Sequence, residues 1–195
     1  MEDGSILRVS EQEVLDCGLY AGKELSEEEA QKLLDSASRS EWKEKTIRLL
    51  MGKPKSRRET ERKLEQWGAD EESAAVICDR MEELGFLDDV RYAKQVVKHY
   101  SAKGFGERKL RDELYRRGIP REFWQEALED CRENGDSLDR FIEKKLSGKP
   151  LDRANLKKVS DALARRGFSW SEINEAMRRF GARVDAAGEE MDDIF

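Results

Sequence analysis

The side chains with chemical potential fall into three sets, and two of them are thin. A single histidine, His99, excludes a His-based acid–base or metal pair. Asp88 and Asp89 stand side by side, but a cation site wants a third carboxylate at helical spacing, and aspartates just before an amphipathic run are first of all helix caps. Cys17, Cys78 and Cys131 are scattered and odd in number, which suits a reducing compartment and neither disulfides nor a zinc site. Cys78 and Cys131 fall on apolar helix faces as small core residues. No glycine-rich loop follows a strand, so the phosphate-cradling motifs are missing. The expectation is a protein that is not an enzyme, with no catalytic residues, no cofactor and no metal.

The third set is cationic. Lys53, Lys55, Arg57, Arg58, Arg62 and Lys63 crowd one short segment, Arg108, Lys109, Arg111, Arg116 and Arg117 a second, and Lys157, Lys158, Arg165 and Arg166 a third. Such clusters can track phosphates or meet an acidic protein groove. Taken singly, each residue is explained as well by a solvated helix end answering the macrodipole. The recurrence of Arg116-Arg117-Gly118 as Arg165-Arg166-Gly167 favours a shared surface. Trp67, Tyr115 and Trp170 are candidates for stacking on a partner, whereas Trp124 and Phe180 sit in apolar stripes.

The elements that must position these cations repeat. A leucine followed four residues later by glycine occurs as Leu64 to Gly68, Leu114 to Gly118 and Leu163 to Gly167, a period of about fifty residues, as in helical arrays. Upstream of each lies an apolar helix end with breakers, Gly52-Lys53-Pro54, Lys103-Gly104 and Gly148-Lys149-Pro150. Downstream, apolar residues recur at helical spacing: Ala74, Ile77, Met81 and Leu84; Ala127, Leu128 and Cys131; Ile173, Ala176, Met177 and Phe180. Each repeat therefore reads as three short helices, the third with a longer loop between Pro150 and Leu156.

On these residues the chain resembles the RecX family, regulators of the RecA recombinase. The resemblance rests on Gly85-Phe86-Leu87-Asp88-Asp89 leading to Tyr92-Ala93, on Gly106 and Lys109-Leu110 leading to Glu113-Leu114 and Gly118-Ile119, and on Lys53-Pro54-Lys55-Ser56 leading to Lys63-Leu64. It extends over roughly residues 7 to 180. Thr60 and Glu61 depart from it, standing where the family more usually has a Glu-Leu pair. The resemblance implies binding to the RecA filament on single-stranded DNA, inhibition of its recombinase, ATPase and co-protease activities, and a place in DNA repair, recombination and the SOS response. Two further readings of the residues stay open: a single-stranded nucleic-acid-binding protein, with at most weak direct DNA contact, and a helical-repeat scaffold for another partner.

Composition bounds the fold independently. With 37% apolar and 41% charged residues, the 195-residue chain is lean for one globule and fits short helices packed on their neighbours. No apolar run approaches eighteen residues and Met1-Glu2-Asp3 is acidic, so a cytoplasmic monomer without membrane contact is expected. Residues 1–41 carry four Lys or Arg against eleven Asp or Glu, and 181–195 carry one against five, so the net charge of −6 hides a mildly basic body. The expected fold is all-α, an elongated array of three tandem three-helix repeats. Residues 1–41 form an acidic extension with one short strand at Ile6–Val9, and a helix from Ser26 is interrupted near Ser38 to Ser40. Repeats follow at 42–85, 86–135 and 136–180, and 181–195 is an acidic flexible tail. Circular dichroism should accordingly show a mostly helical protein; more than about a quarter strand would contradict the repeat reading, whose stripes have period 3.6 throughout.

Overall fold

The structure is a computed structural model that describes residues 6–129, 135–150 and 152–192, and every described element is helical. The chain divides into two compact units, one ending at Asp88 and the other beginning at Asp89.

In the first unit, α1 (Glu11–Asp16) is followed by α2 (Glu27–Gly52), α3 (Arg57–Gln66) and α4 (Glu71–Glu83). Capping boxes Ser10/Glu13, Ser26/Glu29 and Ser56/Glu59 open α1, α2 and α3, and Asp70 caps α4. The core joins Leu50, Leu64, Ala69, Ile77, Cys78, Met81 and Leu87, with Trp42 and Trp67 packed against it. Thr60 is by type a poor core residue, yet it is fully buried because its hydroxyl donates to the Ser56 carbonyl at 2.9 Å.

Two expectations for this unit are corrected. Ile6–Val9 has no regular structure, and Ile6 is 93% exposed: a lone extended piece finds no strand to pair with. The helix from Ser26 is not interrupted at Ser38 to Ser40. Ser36 and Ser40 turn their hydroxyls to the buried carboxylate of Glu13 on α1, at 3.0 and 2.8 Å, so they tie two helices together instead of competing for their own backbone.

The second unit contains two repeats, α5 (Asp89–Ala102), α6 (Glu107–Arg116) and α7 (Trp124–Glu129, entered through a 3-10 turn at Arg121–Phe123), then α8 (Gly135–Leu146), α9 (Arg153–Arg165) and α10 (Trp170–Asp192). Their cores are separate: Tyr92, Ala93, Val97, Leu110, Leu114 and Leu128 in one, Leu138, Ile142, Leu146, Val159, Leu163 and Ile173 in the other. Helical backbone continues from 181 to Asp192, where a flexible tail was expected; Ala, Glu and Met in that stretch are good helix formers despite its low apolar content. Cys131 lies outside the described residues.

Glycines join the two repeats of this unit. Gly106, the residue before α6, has no side chain to cap the helix; its N–H donates to the Arg166 carbonyl at 3.0 Å and the Arg108 N–H to the Gly167 carbonyl at 3.1 Å. Carbonyls just after α9 thus satisfy amides at the start of α6, so the negative end of one helix meets the positive end of the other. A Cβ on Gly106 would lie 2.5 Å from the Phe168 nitrogen, and one on Gly167 2.5 Å from the Lys109 nitrogen. Gly68 shares the left-handed conformation of Gly167, φ +94° against +91°, but nothing lies within 4 Å of its would-be Cβ. Gly68→Ala should therefore cost about 1–2 kcal/mol for the backbone alone, and Gly167→Ala about 2–5 kcal/mol, because overpacking adds to it. Urea melts of the two variants check the order; equal losses would mean that the close approach does not matter.

Candidate functional site

The basic clusters sort into cations held by the fold and cations left over. Arg57 is held: its guanidinium reaches Glu61 at 2.9 Å, Asp79 at 2.7 Å and Glu82 at 2.8 Å, tying α3 to α4. Arg116 donates to the buried Glu113 at 2.6 Å, and Arg117 donates to the Tyr92 hydroxyl with Glu113 at 4.0 Å. Lys109 stands 3.9 Å from the same carboxylate, and Arg111 pairs with Glu107 at 2.6 Å. Arg166 is held by carbonyls and a ring. One of its terminal nitrogens donates to the carbonyls of Lys103 and Gly104, both at 3.2 Å, and its guanidinium lies 4.5 Å from the centre of the Phe141 ring. It closes the loop before α6 onto the third repeat.

Among the described residues, Lys55, Arg62, Arg108, Lys157 and Arg165 show no acidic partner, and all but the half-buried Lys55 are exposed. Arg58 is exposed as well, with Glu61 at 3.2 Å. Three cations share one register, six residues before the repeat leucine: Arg58 before Leu64, Arg108 before Leu114, Lys157 before Leu163. Arg58 and Arg108 sit in the first turn of their helices, where a positive charge works against the macrodipole. The macrodipole does not favour them there. Each cation is placed within its own repeat.

The clusters read from sequence omit a cationic cleft of about 550 Å³ in the second unit. Lys98 and Lys103 line it from the end of α5, Arg140 and Lys144 from α8, and Arg166 from the loop after α9. Of these, only Arg166 belongs to a cluster visible in the sequence. Arg140 and Lys144 at i, i+4 spacing on α8 were the available signal, but nothing local connects them to α5. A second cleft, about 270 Å³, lies between α8 and α9 and takes Lys145, Lys149, Lys158 and Arg165.

The remaining candidates lie outside both clefts. His99 is exposed with its ring edge-on to Tyr100 at 5.3 Å, and Asp88 stands immediately before α5, which starts at Asp89. Among the described residues, no group of three or more His, Cys, Asp or Glu is placed to hold a metal. Burial pushes the Cys78 thiol up to about 12, so it is inert at neutral pH. Trp124 and Phe180 pack on the second and third cores, Trp67 on the first, while Tyr115 and Trp170 are exposed. No helix of the described residues is long and apolar enough to cross a membrane.

Glu113 is the one buried acid among these cations. Burial opposes its ionisation, but hydrogen bonds from Arg116 and Tyr100 and the charges of Arg116 and Arg117 outweigh it and hold the carboxyl below its ordinary 4.5. A carboxyl depressed in the folded state stabilises the fold above pH 4.5 and loses that contribution as pH falls through its lower, folded value. Glu113→Gln should cost about 1.5–3 kcal/mol at pH 7, the worth of a charged hydrogen bond. The deficit should shrink below pH 4.5, as urea melts across that range would show.

Comparisons with known proteins bear on these same repeats. Residues 88–128 match the family model of the second three-helix domain of RecX, and 135–177 that of the third. The regulatory protein RecX of Xanthomonas campestris pv. campestris (strain B100) is 32% identical over 139 residues, 69% of this chain and 85% of the relative. That of Chlorobaculum tepidum is 30% identical over 161 residues, 82% of this chain and 100% of the relative. Among solved structures, a regulatory protein RecX superposes with a TM-score of 0.73 over 87% of this chain and 86% of that one, at 20% identity. RecX from Lactobacillus salivarius gives 0.69 over 74% and 97%, also at 20% identity.

Proposed function

The chain belongs to the RecX family of regulatory proteins, and on that premise we propose that it binds the RecA filament on single-stranded DNA and lowers its recombinase, ATPase and co-protease activities. In this reading it restrains recombination, repair and the SOS response in the cytoplasm, as a monomer, without a cofactor and without catalysis of its own. The observation that carries the reading is the ordered match of two consecutive repeats to the second and third RecX domains. The register-matched cations Arg58, Arg108 and Lys157 supply the contact surface, one per repeat, with Arg62 and Arg165 beside them. They face the partner's acidic groove, where a pair desolvated on binding is worth more than a surface pair.

The test titrates the purified protein into RecA hydrolysing ATP on single-stranded DNA. Wild type should inhibit, and ATP turnover by the protein alone should be nil. In Arg108→Glu with Lys157→Glu, the helical fold should survive, since an acid near the start of α6 suits the macrodipole. Affinity should fall tenfold or more, because a lost charge-assisted contact costs about 1.5–3 kcal/mol, and its salt dependence should flatten. Inhibition by the variant at wild-type concentration would exclude this surface; no inhibition by wild type would exclude the function.

A further inference from the structure

Resting on the RecA reading above, we infer that Gly106 and Gly167 are positioning residues for partner binding: the junction they permit holds Arg108 at a fixed distance from Lys157, so that the second and third repeats engage an acidic groove as one bivalent unit.

The glycine before α6 serves the third repeat and not its own helix. Gly106 is extended, with φ −83° and ψ 169°, a conformation open to any residue. Its counterpart in the first repeat, also eight residues before the repeat leucine, is Ser56, with φ −74° and ψ 161° and a side chain that caps α3. For the helix alone, serine would suit α6 at least as well. What excludes a side chain is the loop after α9. A Cβ on Gly106 would lie 2.5 Å from the Phe168 nitrogen and 2.6 Å from both the carbonyl carbon and the carbonyl oxygen of Gly167.

What this junction holds is a contact residue. The amide that donates to the Gly167 carbonyl is that of Arg108 itself, so the third repeat fixes the backbone from which the exposed cation of the second repeat extends. Arg166 reinforces the attachment through the Lys103 and Gly104 carbonyls, and its guanidinium lies 5.7 Å from the centre of the Phe105 ring. The two repeats have separate cores, so their mutual placement depends on this interlock. Lys157 lies on α9 nine residues before Arg166, an axial run of about 14 Å at 1.5 Å per residue. The helix is therefore a rigid spacer that carries Lys157 and has Arg108 docked at its end. Two contacts at a fixed spacing engage a rigid partner together, whereas the same contacts on loosely joined repeats bind with a lower effective concentration for the second.

Affinity for RecA filaments on single-stranded DNA tests the assignment, with circular dichroism and urea melts to establish folding. Gly106→Ala should bind about tenfold more weakly than wild type, because the two contacts no longer share a fixed spacing. Gly106→Ser should lose as much, although its hydroxyl is placed to cap α6 as Ser56 caps α3. Wild-type affinity in the serine variant would mean that only the helix start matters, and would overturn the inference. With Lys157→Ala and Arg165→Ala in place, Gly106→Ala should change affinity less than twofold, since no second contact is left to position. The full tenfold loss in that background would make the effect local damage to α6 and would equally overturn it. Amide exchange reads the junction without any partner: the Arg108 N–H should exchange at least tenfold faster in both Gly106 variants, and unchanged protection would refute the interlock. Failure of both variants to fold would make the junction a folding requirement and refute the positioning role. No binding by wild type would remove the RecA reading and this inference with it; full affinity in folded Gly106 variants would remove this inference alone.

Discussion

The second unit depends on two backbone hydrogen bonds, from the amides of Gly106 and Arg108 to the carbonyls of Arg166 and Gly167. A helix start must satisfy its first amides, and elsewhere in the chain serine or aspartate side chains do so, as at Ser56, Asp70 and Asp152. At α6 the partner is another repeat. The approach is close enough that a methyl group on either glycine would collide with backbone. From this follow the position of Arg166, the closure of the loop at Lys103 and Gly104, and the cleft that Arg166 rims.

The charged residues divide along the same line. The cluster around α6 is dense in cations, yet most of them are spent within the repeat: Lys109, Arg116 and Arg117 gather on Glu113, and Arg111 is paired within its own helix. What stays exposed is smaller and more regular: one cation at the same register in each repeat, and a cleft whose lysines come from elements far apart in sequence. Fully exposed pairs within one helix, such as Arg48–Glu44, contribute little to stability. Glu113 differs because it is buried and draws on several donors at once.

What was legible in the sequence was local. The left-handed glycines 68, 118 and 167 stand four residues after their leucines, and the capping boxes at Ser26, Ser56 and Ser169 form as the Ser-x-x-Glu spacing reads. Buried stripes such as Ala74, Ile77 and Met81 follow the 3.6-residue period. What was missed depends on partners distant in sequence. Ser38 to Ser40 read as a helix interruption until Glu13 on another helix is seen to accept from Ser36 and Ser40. Gly106 reads as a breaker and Arg166 as one more surface cation until the α9–α6 junction is seen. A sign was present all the same, since the first repeat has Ser56 eight residues before its leucine and the second has Gly106 there. A missing cap implies that something else caps the helix.

That substitution has a consequence for the order in which the chain matures. During synthesis the N-terminal segments emerge first, and a repeat with its own caps can settle as soon as its last helix is out. The middle repeat cannot complete itself in this way. The groups that close the start of α6 lie about sixty residues downstream, in the loop between the last two helices. Until that loop has left the ribosome, α6 keeps an open, frayed beginning, and the cleft lacks the arginine that shapes its rim. The second unit is therefore completed only after the third repeat has emerged and closed over the second.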